Sequence, residues 1–171
     1  MKTKKLILFI FIFLALSLII FFLLNQLFYP WKESNLEFEE VNSVLINQLE
    51  GGKNSLAIYP DSNEMIVKKG GQSDFYFSYK NFDKKSHFYD YAVVFKESNC
   101  GVNLVEAQEY ISFRRDGHFE LNAGETLQTP ILIQFSVPKN VSSCLIKYGL
   151  FLSKDYQDSF CDSTMFTLQI K

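Results

Sequence analysis

Hydrophobic residues follow three successive patterns along the chain, and the first of them predicts a membrane-spanning helix. From Leu6 to Leu24 the sequence contains nineteen residues with a single polar side chain, Ser17. A helix of roughly 20 apolar residues is long enough to cross the hydrocarbon core of a bilayer. We therefore expect this chain to be a partner of the lipid bilayer through Leu6–Leu24.

The polar residues around this run predict its orientation. Three lysines precede it and four glutamates follow it: Lys2, Lys4, Lys5, Glu33, Glu37, Glu39 and Glu40. The positive-inside bias keeps such an N-terminus in the cytoplasm and exports the remainder of the chain. Tyr29 and Trp31 lie just past the run, at the depth where amphipathic rings prefer the headgroup layer.

A cleaved signal peptide is the alternative to an uncleaved anchor. The run is longer than the 7–15 apolar residues of a signal peptide, and no small-x-small cleavage site follows it. We therefore expect a single-pass protein of the cell membrane whose C-terminal domain lies outside the cytoplasm.

Residues 32–55 form a stalk in which the period of hydrophobic positions becomes helical. Ser34 and Glu37 fit a capping box, and Gly51-Gly52 supplies a stop. Apolar side chains recur between them at helical spacing: Phe38, Val41, Leu45 and Leu49. This pattern predicts an amphipathic helix over Asn35–Glu50, with an irregular linker as the alternative.

After Ser55 the period changes to two, which is typical of β-strands. Phe75, Phe77 and Tyr79, for example, alternate with more polar residues, and such alternation points successive side chains to opposite sheet faces. The same pattern predicts further strands at Leu56–Tyr59, Met65–Lys68, Tyr89–Lys96, Tyr110–Phe113, His118–Leu121, Ile131–Val137, Ile146–Leu152 and Phe166–Ile170.

Seven to nine short strands in residues 56–171 predict an all-β fold, an antiparallel two-sheet sandwich. An up-and-down barrel is the alternative, but the predicted strands differ in length and their connections are uneven. The predicted organisation is a cytoplasmic tip and membrane anchor over 1–31, a stalk over 32–55 and the sandwich over 56–171.

Two segments of the sandwich carry turn motifs of a known family. The first motif has the pattern apolar-x-Leu, small, Gly-Glu, a long strand and Val-Pro, and it occupies Phe119–Thr126 followed by Pro130–Pro138. The second motif has the pattern Gly, strand, Lys-Asn, and it occupies Lys69–Asn81. These motifs resemble immunoglobulin-like (Ig-like) domains of bacterial and archaeal cell-surface proteins. Gly124 would permit the positive φ of a tight turn, and Pro138 would end a strand. The resemblance implies a fold and no shared catalytic residues.

Three cysteines lie in the exported domain, which allows one disulfide in an oxidising compartment. In the Ig-like topology the end of strand C lies beside the start of strand F. Cys100 follows the strand that ends near Lys96, and Cys144 opens the strand that runs to Leu152. The resemblance therefore favours Cys100–Cys144, with Cys161 free. Three reduced thiols, or a pairing of Cys161 with either other cysteine, are the alternatives.

Composition and charge exclude several classes of protein. The 171 residues are 47% hydrophobic and 16% aromatic, which excludes a disordered chain. Lys+Arg 17 against Asp+Glu 19 gives a net charge of -2, so no bulk positive charge recruits nucleic acid. Without the three N-terminal lysines the balance is 14 positive against 19 negative charges, or -5.

The residues that could carry chemistry are few. His87 and His118 are predicted to be solvated surface residues, and no Ser or Cys near either lies in a nucleophile turn. Cys161 and Met165 lack the histidines of a copper site, and Asp61–Glu64 begins like a calcium loop without its glycine. We therefore expect no enzyme activity, no metal and no cofactor.

Several apolar side chains fall on outward positions of the predicted strands: Tyr76, Phe88, Leu132, Leu145 and Phe151. Either another layer of the protein covers them or a protein partner does. Asn140 opens an Asn-x-Ser sequon in an exposed connection and could carry a glycan. We expect a non-catalytic binding or structural role. An accessory subunit of a membrane complex is the alternative, and an extracytoplasmic enzyme or metal carrier is a third hypothesis.

Overall fold

A computed structural model describes residues 38–52 and 54–171. The predicted span Leu6–Leu24 and the interface residues Tyr29 and Trp31 lie outside these ranges. Within them, no helix combines the length and the hydropathy that crossing a membrane requires. The chain divides into two compact units, Met1–Glu40 and Val41–Lys171.

The second unit contains nine strands and two helices in the described residues. Helix α1 occupies residues 38–51 of the described chain, so its part from Val41 onward belongs to this unit. The elements after it are β1 (Leu56–Tyr59), β2 (Glu64–Val67), β3 (Gln72–Tyr79), β4 (His87–Ser98), α2 (Leu104–Glu109), β5 (Ile111–Phe113), β6 (Asp116–Leu121), β7 (Ile131–Ser136), β8 (Cys144–Lys154) and β9 (Phe160–Ile170).

The strands form two sheets, which confirms the predicted β-sandwich. Sheet A has the order β1-β3-β7-β5, and sheet B has the order β2-β9-β8-β4-β6. All pairs are antiparallel except β2 with β9, which run parallel from Glu64↔Thr167 to Val67↔Ile170. The prediction of a purely antiparallel sandwich is therefore wrong at this edge. The chain crosses from sheet A to sheet B between β1 and β2. In sheet B, β2 pairs with the last strand, β9, which runs in the same direction as β2.

Aromatic rings from both sheets fill the core. Phe75 of sheet A stacks on Phe166 of sheet B with ring centroids 4.1 Å apart, and Phe135 lies 5.0 Å from Tyr148. All four side chains are buried. Burial of large side chains from facing strands is the main favourable term in such a fold, because it removes apolar surface from water.

Part of the outer face of sheet A is buried. Ala57, Tyr76 and Ser78 point away from the core yet are buried, and Ser78 donates a hydrogen bond to the Leu127 carbonyl. Helix α1 also has a buried apolar face, which Val41, Leu45 and Leu49 form. The predicted stalk helix is thus present over residues 38–51.

Helix α2 is absent from the sequence-based prediction. Asn103 caps it by accepting hydrogen bonds from the Val105 and Glu106 amides, and the Glu106 carboxylate accepts one from the Asn103 amide. Tyr110 forms the C-terminal cap, so the strand predicted over Tyr110–Phe113 begins one residue later, at Ile111.

The structure joins Cys100 and Cys144 in a disulfide with a Cα–Cα distance of 5.5 Å, which confirms the predicted pairing. Strands β4 and β8 are antiparallel neighbours, so the residues after the end of β4 lie beside the start of β8. Cys161 is free, as expected.

Candidate functional site

Exposed large apolar side chains of the described residues are most numerous on the outer face of sheet B. We call it the sheet B face, and it consists of side chains from β4, β8, β9 and the turn between the last two. Phe88 is 40% exposed, Met165 53%, Phe160 63% and Tyr156 77%. The half-buried members are Ala92, Val94 and Phe151.

Contacts between neighbouring side chains position the rings of the sheet B face. Phe88 stacks with Tyr156 at a centroid distance of 6.2 Å, and Phe151 contacts Phe160 at 4.7 Å. The Nζ atom of Lys96 lies 4.1 Å from the centroid of the Phe151 ring, a cation–π distance. These contacts favour a surface that is ordered before any partner binds.

Gly149 lies at the centre of this face and lets the rings lie close to the backbone. A Cβ atom at this position would stand 2.5 Å from Cε2 of Phe151 and 3.0 Å from Sδ of Met165. Any larger residue would therefore push both side chains outward. The glycine keeps the middle of the face flat.

Charged residues border the apolar centre. Asp116 and Glu120 lie along the β6 edge, and Asp90 stands between them and the centre, paired across the strands with His118 and Ser153. At the other end of β4 and β8, Glu97 and Lys147 form an ion pair close to Lys96. An apolar centre with a charged rim is the composition expected of a protein interface.

The outward residues predicted from the sequence divide between the two sheets. Tyr76 and Leu132 lie on sheet A, where Tyr76 is buried and Leu132 is half-buried. Phe88, Leu145 and Phe151 lie on sheet B, where Phe88 and Leu145 are exposed. The prediction that another layer of the protein covers the outward residues is therefore confirmed for Tyr76. Docking of a partner stays a prediction for sheet B.

A second polar cluster ties the loop before β4 to the turn after β8. The Nε2 atom of His87 lies 3.0 Å from Oδ2 of Asp83, and its Nδ1 atom lies 2.7 Å from Oδ2 of Asp155. Lys154 donates to Asp83 at 2.7 Å, and the Phe88 amide donates to Asp155 at 3.1 Å. The imidazole thus stands between two carboxylates.

This cluster is better suited to structure than to catalysis. A histidine that acts as a general base needs one nitrogen free to take a proton from a nucleophile, whereas both nitrogens of His87 contact carboxylates. The Lys154 ammonium lowers the pKa of Asp83, and the hydrogen bond with His87 lowers the pKa of Asp155. The prediction that His87 is a solvated residue is wrong, since its side chain is only 13% exposed. His118 is exposed, as expected.

Cys161 lies in a polar cleft of about 890 Å³ beside the start of β1. Its thiol lies 4.0 Å from the Tyr79 hydroxyl, and Ser55 donates a hydrogen bond to the neighbouring Asp162. Desolvation raises the pKa of the Cys161 thiol although the residue as a whole is exposed. The thiol is therefore protonated at neutral pH and is a weak nucleophile.

The same cleft contains two residues of the segment that begins like a calcium loop, Asp61 and Asn63. In residues 38–52 and 54–171, no group of three or more His, Cys, Asp or Glu side chains is arranged to hold a metal ion. Asn140 is exposed, so the sequon is accessible, and its occupancy stays a prediction.

Comparisons with known proteins bear on the fold alone. No protein-family model matches the chain, and no curated protein matches it in sequence. A CARDB domain from Pyrococcus furiosus, solved in complex with di-metal ions, matches with 8% identity and a TM-score of 0.44, over 68% of this chain and 87% of that one.

Two further solved structures are also similar. The PapD-like (ASH) domain of human CEP192 matches with 9% identity and a TM-score of 0.37, over 68% of this chain and 84% of that one. SSP-19, an MSP-domain-like protein of Caenorhabditis elegans, matches with 9% identity and a TM-score of 0.37, over 65% and 96%. At such identities the metal ions of the CARDB domain imply nothing about this chain.

Proposed function

We propose that this chain is a membrane-anchored extracytoplasmic Ig-like domain with a non-catalytic binding role. The run Leu6–Leu24 would anchor it, with the N-terminus in the cytoplasm. The sheet B face would be the binding surface. The role assigned to this face is contact with a protein, because apolar centres with charged rims are typical of protein interfaces.

The observation that carries the proposed location is the Cys100–Cys144 disulfide. Disulfides persist in oxidising compartments and are rare in the cytosol. An oxidising location agrees with the lysines before Leu6, because these lysines independently favour export of the chain that follows the apolar run. Two separate features, one of redox chemistry and one of charge, thus support the same topology.

The exposed free thiol of Cys161 allows a direct test of this topology. Intact cells that express the full chain are treated with a membrane-impermeant maleimide at mildly alkaline pH. We expect Cys161 to be labelled and a Cys161→Ser variant to stay unlabelled. A second variant, Lys4→Cys with Cys161→Ser, should be labelled only after the cells are permeabilised. Labelling of Lys4→Cys in intact cells, with Cys161 protected, would contradict the proposal.

The alternative role is an accessory subunit of a membrane complex, which the exposed apolar residues of sheet B also favour. The two roles differ in whether the apolar run itself contacts other helices. Leu6–Leu24 has only two small residues, Ala15 and Ser17, and lacks the small-xxx-small spacing that lets helices pack closely. Replacing Met1–Tyr29 by an unrelated span should therefore preserve function. Loss of co-purifying partners in that chimera, with the domain still folded, would favour the subunit role.

A further inference from the structure

We propose that His87 is a pH-sensitive switch that controls the order of the turn between β8 and β9. The protonated imidazole donates to the carboxylates of Asp83 and Asp155 at the same time and keeps the turn closed. The neutral imidazole donates to only one of them, and the turn opens more often. The switch acts on the conformation of the domain and does not require the proposed binding role.

The contacts of His87 require two hydrogen atoms on its ring. Nε2 lies 3.0 Å from Oδ2 of Asp83, and Nδ1 lies 2.7 Å from Oδ2 of Asp155. An ionised carboxylate accepts hydrogen bonds and donates none, so each ring nitrogen must be the donor. The imidazolium has two N–H groups and satisfies both carboxylates, whereas the neutral ring has one N–H and one lone pair. In the neutral form one carboxylate therefore faces a lone pair, which repels it.

The two carboxylates keep their charge in the range in which a histidine loses its own. The hydrogen bond from Lys154 lowers the pKa of Asp83, and the hydrogen bond with His87 lowers the pKa of Asp155. Both carboxylates therefore stay ionised above about pH 5, whereas histidine side chains change charge between about pH 5 and about pH 8. Across this range the two acceptors are constant, and the number of donors on the ring changes.

The other neighbours of His87 keep their charge across the same range. The hydrogen bond with Asp83 raises the pKa of Lys154, and burial raises the pKa of Tyr89, whose ring lies 6.2 Å from the imidazole, to about 12. Opposite His87 in β6 lies Leu121, which carries no charge. The loop before β4 adds two exposed lysines, Lys84 and Lys85. Lysines lose their charge only well above neutral pH.

The turn that this cluster holds has an unfavourable backbone conformation. Asp155 and Tyr156 have φ angles of 52° and 58°. The Gln157 amide donates to the Lys154 carbonyl at 3.1 Å, which closes a tight four-residue turn around them. Gly, Asn and Asp dominate the central positions of turns with two positive φ angles, because a larger side chain is strained there. A tyrosine at the second position therefore persists only while surrounding contacts hold it.

Asp155 links the state of His87 to this turn. Its amide donates to the Phe88 carbonyl at 2.8 Å, and its Oδ1 atom accepts from the Phe88 amide at 3.1 Å. The next residue, Tyr156, stacks on the Phe88 ring at a centroid distance of 6.2 Å. A weaker hold on Oδ2 of Asp155 therefore loosens both the hydrogen bond of the Phe88 amide and the ring stack. One end of the sheet B face is thus more ordered in acid than above neutral pH.

Hydrogen exchange of single amides tests the switch on the full chain in detergent, followed by NMR at about pH 5 and about pH 8. Each rate is divided by that of an unfolded chain at the same pH, because exchange is itself catalysed by base. We expect the protection of the Phe88 and Asp155 amides to fall about fivefold between the two pH values, since one hydrogen bond of the cluster is lost. The Leu150 amide, in the middle of β8, should keep its protection.

Three variants identify the group that titrates. His87→Gln cannot gain a charge, so the protection of the Phe88 amide should be low at both pH values. Asp155→Asn can still accept from the Phe88 amide and should lose the fall in protection, which keeps the test valid if His87→Gln does not fold. His118→Gln, at the exposed second histidine, is the matched control and should behave like wild type.

Equal protection of the wild-type Phe88 amide at both pH values would overturn the switch. A fall that persists in His87→Gln or in Asp155→Asn would also overturn it, because another group would then be responsible. So would a fall that disappears in His118→Gln.

Discussion

Single side chains hold the two ends of the sandwich by different chemistry. At one end the Cys100–Cys144 disulfide ties the segment after β4 to the start of β8. At the other end His87 joins Asp83 to Asp155, so that the loop before β4 stays against the turn after β8. One tie is covalent and the other is a set of contacts between polar side chains, and each has its own experimental signature.

Removing the disulfide should lower the stability of the domain. We expect Cys100→Ser combined with Cys144→Ser to lose about 3–4 kcal/mol in urea unfolding, because the 44-residue separation leaves a long loop unconstrained in the unfolded chain. Cys161→Ser is the matched control and should leave the unfolding midpoint unchanged. Equal losses in the two variants would mean that the disulfide contributes little.

The polar cluster around Asp83 and Asp155 should make the stability of the domain depend on pH in the acidic range. Since the pKa values of Asp83 and Asp155 are lowered in the folded state, their contribution is complete above the unfolded value of about 3.9. It is lost as the pH falls through the lower folded-state pKa values. Asp155→Asn should therefore be less stable than wild type at neutral pH, and its stability should fall less steeply with acid.

Urea unfolding between about pH 7 and about pH 2 measures this difference. Asp158→Asn is the matched control, because Asp158 is exposed in the same turn. It should follow the wild-type curve. An Asp155→Asn curve parallel to wild type over the whole range would show that the cluster does not couple to folding.

Among the elements, those with a long repeat were predictable from the sequence. Strands β3, β4, β7, β8 and β9 alternate over many residues, and the stalk helix repeats its apolar positions over several turns. Helix α2 has six residues, too few to establish a helical period. Its signal was the pair Asn103 and Glu106, a capping box spaced like Ser34 and Glu37. The direction of β2 was not predictable, because alternation does not specify the neighbouring strand.

The α2 cap offers a test at this scale. Asn103→Ala should lower the stability of the domain by about 1 kcal/mol, since two amides lose their acceptor. Glu106→Gln is the matched control, because an amide oxygen can still accept the hydrogen bond of the Asn103 amide. Thermal unfolding compares the two. A loss in Glu106→Gln as large as in Asn103→Ala would indicate that charge, rather than capping, stabilises this helix.

The sheet edges are protected against pairing with another chain. Strands β1, β2 and β5 have four, four and three residues, and β6 carries outward charges at Asp116 and Glu120. Short or charged edges discourage addition of a strand. Association through the sheet B face is consistent with this protection, because it leaves every edge unpaired.

At the scale of the whole molecule, the second compact unit begins at Val41, within helix α1, and not after α1 ends. We therefore expect α1 to contribute to the stability of this unit. Val41, Leu45 and Leu49 are buried, and so are Ala57, Tyr76 and Ser78 on the outer face of sheet A. A fragment of residues 41–171 should therefore unfold cooperatively, whereas residues 56–171 should be at least about 2 kcal/mol less stable, because each lost apolar side chain removes about 1.5–3 kcal/mol of burial. Leu45→Ala in the longer fragment should give an intermediate value. Equal stability of the two fragments would contradict a stabilising role for α1.

The parallel pairing of β2 with β9 has a consequence for a chain held at a membrane. Traction between the N-terminal segment and Lys171 pulls these two parallel strands in opposite directions along their axes. The hydrogen bonds from Glu64↔Thr167 to Val67↔Ile170 are then loaded together in shear, instead of opening one after another. Resistance to such force is set by the rate of unfolding rather than by equilibrium stability. This edge of sheet B would therefore resist unfolding when a force acts on the two ends of the domain.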